Sequence, residues 1–400
     1  MPYRVSGTDR ILENAAAPGI GAVTLGSPVP GYRSFMSVLA SSDTCTYFIE
    51  AVDDNGVPTG DWERGFATFV DTTSPQLVRS VVMDSSNSGS LVDFTSTVRV
   101  GSAPMSETIS VGTIPGGRLS IDMNDPVADG ESDTLYYVPY FNDLLPIFNG
   151  YGIQTVTAAS TSISVASLPA GSAYDVFGYV EEGSISVSGS ILSLELNPWT
   201  DPNTRRDGLV YAYGFLCKSG DPTRRFLGSC YIGTAGLIQD WNNYQDVSNN
   251  PSKRFLWNLY NRVRRDCYMF DSNISWAVVS NGQWRIIDNL SPPKGCLEFF
   301  RGLDDDLVEV TGTVNCNLAA NGNYYSAIGL DSNTPVPNSS INGSFNNSTN
   351  KSINLAVTSA YSGRPGIGYH TVRLLEKLAI GGSATGGSDS QSGLLGVIFA

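Results

Sequence analysis

Apolar residues in the first hundred positions recur in short runs, many of them alternating with polar ones. The clearest are 21–25 (GAVTL), 35–39 (FMSVL), 44–49 (TCTYFI), 62–70 and 77–83. Turn-rich stretches such as 53–58 (DDNGVP) and 85–89 (SSNSG) separate them. Period-two runs punctuated by Gly, Pro, Asn and Asp have the rhythm of a sandwich or barrel. Residues 1–105 therefore read as one β module, closed by 101–104 (GSAP). A second β domain is expected over 106–200, with strands near 135–140, 162–165, 174–180 and 191–196 and a terminating loop at 197–203 (NPWTDPN). Strands at 209–215 and 225–232 open a third unit, 201–270. A C-terminal β domain follows over 271–400, with polar loops at 338–352 and 381–388 and an apolar end, 394–400, that something must cover.

One stretch breaks the rhythm. Residues 251–265 (PSKRFLWNLYNRVRR) place apolar side chains at 255, 256, 259, 260 and 263, a helical stripe. Asn250 stands as N-cap, Pro251 in the first turn, and Arg264 and Arg265 at the negative end of the helix dipole. The expected fold is all-β: two or three sandwich or jelly-roll domains with one inserted amphipathic helix at about 251–265.

Composition narrows the class. Charged residues are 16% of 400, against 42 glycines, 19 tyrosines and 16 phenylalanines, a balance that favours strands and turns. The 24 cations and 38 anions leave a net charge of −14. A nucleic-acid binder draws most of its affinity from neutralising phosphates, so DNA or RNA is an unsuitable main ligand. An acidic surface also gives no attraction to an anionic membrane. No apolar run reaches the roughly 20 residues that span a bilayer, and no signal-peptide core follows the N-terminus, so synthesis in the cytoplasm is expected. Cys45, Cys217, Cys230, Cys267, Cys296 and Cys316 are scattered, which suits reduced, buried thiols.

Candidate chemistry is sparse. His370 is the one histidine, and its neighbours form no catalytic motif, so a satisfied structural histidine is the plainer reading. One His and dispersed Cys do not make a transition-metal site. Calcium needs only oxygens; 53–55 and 304–306 are the acidic clusters, but neither has EF-hand spacing, and acidic turns are ordinarily just solvated. Glu181 and Glu182 could serve glycoside hydrolysis, yet they precede Gly183 in an expected hairpin turn, and no fixed-period repeat is present. No catalytic residue, metal or cofactor is therefore assigned. The expected helix carries Lys253, Arg254, Arg262, Arg264 and Arg265. On an acidic chain these could pair with a neighbouring subunit, which makes Arg254, Trp257, Arg262, Arg264 and Arg265 candidate assembly residues. The plainer alternative is that Phe255, Leu259 and Val263 pack the helix while arginine stems cover its flanks. Tyr324, Tyr325, Tyr361 and Tyr369 could stack on sugars or simply pack a sheet.

Several segments resemble a module common at the start of tailed-bacteriophage tail-fibre and related virion proteins. They are Asp9-Arg10, Gly19 and Gly21 with Thr24-Leu25, 31–35 (GYRSF), 47–51 (YFIEA), 61–65 (DWERG), 77–80 (LVRS), and 85–89 with 92–94 (VDF). The body resembles the same family at 136–140 (YYVPY), 174–177 (YDVF), 224–228 (RRFLG), 253–265, 328–331 (IGLD) and 363–370 (GRPGIGYH). Residues 242–250 depart from it as an insertion-like loop. The resemblance implies a non-enzymatic structural protein of the virion, with 1–105 as its attachment module. Its expected work is that of a tail fibre or receptor-binding appendage. The alternatives are a head fibre or decoration protein, and a capsule-degrading spike. Implied partners are further copies of itself, most simply as a homotrimer, other tail or head proteins, and a host glycan or receptor.

Overall fold

The computed structural model describes residues 10–102, 115–150, 153–157, 161–180, 192–242, 252–271, 276–278, 282–289, 295–319, 322–345, 352–379, 383–386 and 392–400. Among them the regular structure is β-strand, joined by two 3-10 turns. No helix there is long and apolar enough to cross a membrane.

Six strands make the N-terminal module: β1 (Ile11–Ala15), β2 (Val23–Pro28), β3 (Thr44–Val52), β4 (Pro58–Val70), β5 (Gln76–Ser85) and β6 (Val98–Ser102). They close into a barrel in the order β1-β2-β5-β4-β3-β6, with β6 returning to β1 through Ile11 opposite Ser102 and Ala15 opposite Val98. Alternation supplies its interior: Ile11, Val23, Tyr47, Ile49, Phe69, Leu77, Val98 and Val100 all point into one core. Gly65 marks a bulge between β4 and β5, where a Cβ would stand 1.9 Å from the Val81 carbonyl oxygen. The run 35–39, read as a strand, is instead a 3-10 turn at Phe35–Ser37. Ser34 caps it, and Phe35 is turned inward to plug the barrel.

Beyond residue 115 a 14-stranded sheet draws on strands within 130–132, 172–180, 192–241, 253–258, 285–286, 296–301, 322–345 and 368–378 alike. Its main path runs through 192–198, 172–180, 221–234, 237–241, 253–254, 296–301, 368–378, 322–330 and 341–345. A six-stranded sheet packs on its C-terminal half: 264–271, 392–399, 308–319, 383–386 and 276–278, with 352–363 along the far side of 308–319. Val310, Val314, Leu374, Leu394 and Ile398 lie in the core between them. The terminal apolar run is thus the strand Ser392–Phe399, which buries Leu394 and Ile398 and leaves Leu395 and Phe399 outside. Part of the Asn-rich stretch is also strand: Ile341–Phe345 pairs with Gly322–Ser326.

The expected helix at 251–265 is not there. From residue 252 the chain forms two short strands, Lys253–Arg254 and Leu256–Asn258, then a turn with Asn261 at φ 54°, then the strand Arg264–Asp271. Leu256, Trp257 and Asn258 pair with Cys230, Ser229 and Gly228. Gly228 is required for that approach, since a Cβ there would meet the Trp257 carbonyl oxygen at 2.3 Å. The physical reason for the misreading is burial on both faces. Phe255 joins Trp199 and Phe300, Leu256 joins Leu119 and Leu227, and Trp257 joins Phe177 and Phe226. A strand covered on both sides reads as an unbroken apolar run, which periodicity cannot tell from a buried helix. Asn250 and Pro251 lie outside the described residues, as do Glu181 and Glu182, most of 242–250, and parts of 338–352 and 381–388.

Candidate assembly surface

The five residues expected to meet a neighbour are divided by the fold. Arg254 and Arg265 lie inside, with side chains 2% and 7% exposed, around the buried carboxylate of Asp240 and the half-open one of Asp129. Arg265 donates to Asp129 Oδ1 and Asp240 Oδ2, both at 2.8 Å, and to the Val127 and Ala128 carbonyls. Arg254 pairs with Asp129 and donates to the Asp266 carbonyl at 2.9 Å. Arg118 joins them, donating to the carbonyls of Asn261 and Ala400; burial, then the charge of Arg265, lowers it to about 10. Burial also raises Asp240, against the pull of Arg254 and Arg265. The cluster is paired in charge, yet Asp240 Oδ1 and the Nε atoms of Arg118, Arg254 and Arg265 are buried without a hydrogen-bond partner, so it fixes strand placement more than it adds stability. Trp257 is 1% exposed.

Arg262 and Arg264 remain outward. Arg262 lies over the Trp257 ring, 5.2 Å from its centroid, and pairs with Asp305 and Asp306. Arg264 is the exposed member, 65% open, paired to Asp266 at 3.0 Å and opposite Phe399 in register. Near Phe399 lies a groove of about 340 Å³, lined by Asp305, Asp306, Leu307, Glu309, Arg364, Val397 and Phe399. The outer face of this sheet continues through Leu395 and the stacked pair Tyr268 and Phe270, whose ring centroids are 6.0 Å apart. Charge gathers at one end of this face, and apolar and small polar side chains occupy the rest.

The other sequence candidates resolve individually. The carboxylates of Asp304, Asp305 and Asp306 are taken by Arg301 and Arg262, and Asp53 accepts the amides of Asn55 and Val57 as a turn. Among the described residues no group of three His, Cys, Asp or Glu could hold a metal. His370 pairs through Nδ1 with Asp331 at 2.8 Å, while its Nε2 is buried with no hydrogen-bond partner, so no hydroxyl or thiol completes a relay there. Burial raises Asp331, but His370 and the Thr371 amide outweigh it and hold the carboxyl below its ordinary range. Tyr324 is fully buried, donating its hydroxyl to Glu376 at 2.6 Å, and Tyr369 stacks on Tyr231. All six cysteines are buried and outside any disulfide; burial pushes Cys267 to about 11 and the others to about 12.

Sequence reasoning passed over one feature. The strand Ser352–Gly363 (SINLAVTSAYSG) forms the outer edge of the six-stranded sheet. Its signal was available: twelve residues without a charge or a proline, directly after the polar stretch 338–352.

No family model and no curated protein matches this chain. Among solved structures, it is similar to the insecticidal delta-endotoxin Cry8Ea1 of Bacillus thuringiensis at 10% identity and a TM-score of 0.17, over 74% of this chain and 55% of that one. A Cry1Da tryptic core variant from the same organism gives 9% identity and a TM-score of 0.16, over 74% and 53%. The chain spans about half the length of these proteins, and likeness at this level carries no statement about fold or activity.

Proposed function

We propose that this chain is a structural protein of a tailed-phage virion that joins the particle through its N-terminal barrel and presents the β-rich body for assembly and attachment. The supporting observation is the barrel itself. It closes on its own strands, and among the described residues its core is filled by residues 11–100, within the 1–105 span expected for the attachment module. A module with private core and hydrogen bonds can be carried between proteins without redesigning either partner. Binding and mechanical linkage, not turnover, are its work, and a tail fibre or receptor-binding appendage is the position proposed.

The test is incorporation. A chain lacking residues 1–102 is expected to fold but to be absent from purified particles, while the full chain is labelled at one place on the virion by immunogold microscopy. Normal incorporation of the truncated chain would remove the docking role. Release of reducing sugar from host capsule by the full chain would replace the appendage reading with that of a degrading spike.

A further inference from the structure

We propose that the strand Ser352–Gly363 is a pairing edge that takes the same strand of a second copy of this chain, antiparallel, across a two-fold axis. This deepens the assembly reading without resting on the place of the chain in a virion.

On one side the strand pairs with Val308–Ala319 in unbroken register, from Val308 opposite Gly363 to Ala319 opposite Ser352. On the other side it has no hydrogen-bonded neighbour among the described residues. An open edge of alternate amides and carbonyls is a template for another strand, and monomeric proteins blunt such edges with charge, proline, bulges or a cover. The twelve residues of this strand include no charge and no proline, and its pairing carries no bulge. The nearest charges in sequence, Lys351 and Arg364, lie beyond the strand's ends.

The opposite edge of the same sheet shows what protection looks like. Along Arg264–Asp271, the Asp266 carbonyl accepts from Arg254 at 2.9 Å. The Tyr268 carbonyl accepts from the amide and hydroxyl of Ser252, each at 3.0 Å, and the Tyr268 amide donates back to Ser252 Oγ at 2.7 Å. One edge is stoppered by Ser252 and Arg254, and the other has no such partner among the described residues.

The core beneath reports the same gap. Ile353, Leu355 and Tyr361 face inward from this strand, yet they stay only partly buried against a core whose central members are fully covered. A strand laid alongside would finish covering them. The occupant that fits is the strand itself. A two-fold axis through Val357 sets Leu355 opposite Ser359 of the partner subunit and Ile353 opposite Tyr361 of the partner subunit. Inward side chains then stay inward and outward ones outward, as antiparallel pairing requires. The chain carries a net charge of −14, and an uncharged strand is where two copies approach with least repulsion.

Sedimentation velocity on the full chain is expected to show a concentration-dependent dimer. The double change Ala356→Lys, Thr358→Lys alters two exposed outward positions and places like charges across the new pair. It is expected to weaken the dimer at least about tenfold with the melting temperature of the monomer unchanged. If the lysines unfold the chain, Ala356→Cys with Thr358→Cys still decides. On mild oxidation it should give a disulfide-linked dimer on a non-reducing gel, and the buried native thiols should not compete. A monomer at all concentrations, a trimer mass, or a dimer indifferent to the lysines and uncaptured by the cysteines would overturn the proposal. A dimer that never enters a particle would keep this inference and remove the virion reading.

Discussion

In the N-terminal barrel the carboxylate of Glu63 is fully buried and held by the Tyr47 hydroxyl at 2.7 Å, the Val92 amide at 2.7 Å and the Arg79 guanidinium. In the C-terminal region Glu376 is equally buried and held by the Tyr324 hydroxyl, the Trp276 indole, the Asp288 amide and Arg285. The two interiors thus use one device: a carboxylate whose lone pairs are all spoken for and whose donors come from separate strands and turns. The edges differ. The barrel has none, because β6 pairs with both β1 and β3, whereas the six-stranded sheet ends on a twelve-residue strand with no second hydrogen-bonded neighbour among the described residues. A satisfied buried carboxylate specifies how a region packs on itself. Edge treatment specifies whether it goes on to meet another molecule.

Removing the cation from each anchor should separate the two regions most. Arg79 is 2% exposed and also donates to the Gly19, Gly21 and Val92 carbonyls, so Arg79→Ala strands Glu63 and is expected to cost about 3–5 kcal/mol by urea denaturation. Arg285 is 22% exposed, and Glu376 keeps three other donors without it. Arg285→Ala should therefore cost less, roughly 1–3 kcal/mol. Equal losses would break the comparison.

Acid should move the two regions in opposite directions. Asp331, in the C-terminal region, has its pKa lowered below 3.8 in the folded chain, so its contribution is complete above 3.8 and disappears as pH falls through the folded value. Asp331→Asn should melt lower than wild type at pH 6, with the gap closing below about pH 3.8. Glu13, in the barrel, is raised above 4.5 by burial, with the Phe35 amide only partly offsetting it. A raised carboxyl penalises the folded state above its folded pKa, and the penalty fades as pH falls toward 4.5. Glu13→Gln should accordingly melt higher than wild type at pH 7, and the advantage should shrink by pH 4. Parallel pH profiles for the two variants would contradict this assignment.

The smallest effect belongs to Arg264. Exposed beside Asp266, it should cost no more than about 0.5 kcal/mol as Arg264→Ala, with sedimentation unchanged if copies meet along 352–363 and not across the outer face.

Much of the β content was readable because local alternation encodes it. The runs 44–49 and 174–180 lie within Thr44–Val52 and Ser172–Val180. Partners were not readable. Leu237–Trp241 pairs with Gly130–Ser132, a choice set by contacts across more than a hundred residues that no local window contains. The failure at 251–265 has a related cause. Arg254 and Arg265 looked like surface cations because arginine is seldom buried, yet Asp129 and Asp240 arrive from elsewhere in the chain to neutralise them. Composition names a residue's preference; only the fold supplies the counter-charge that overrides it.

The closure of the barrel by β6 also settles how it bears load. Held by its wall and pulled at Ser102, β6 must slide lengthwise past β1 and β3 together, so the hydrogen bonds of both ladders resist at once. Held by the chain ahead of Ile11, the same pull opens the Ile11–Ser102 rung first and peels β1 from β6 one rung at a time. The grip decides the strength: a socket that clasps the barrel's flank makes a tow-point, and one that holds only its leading thread makes a zip.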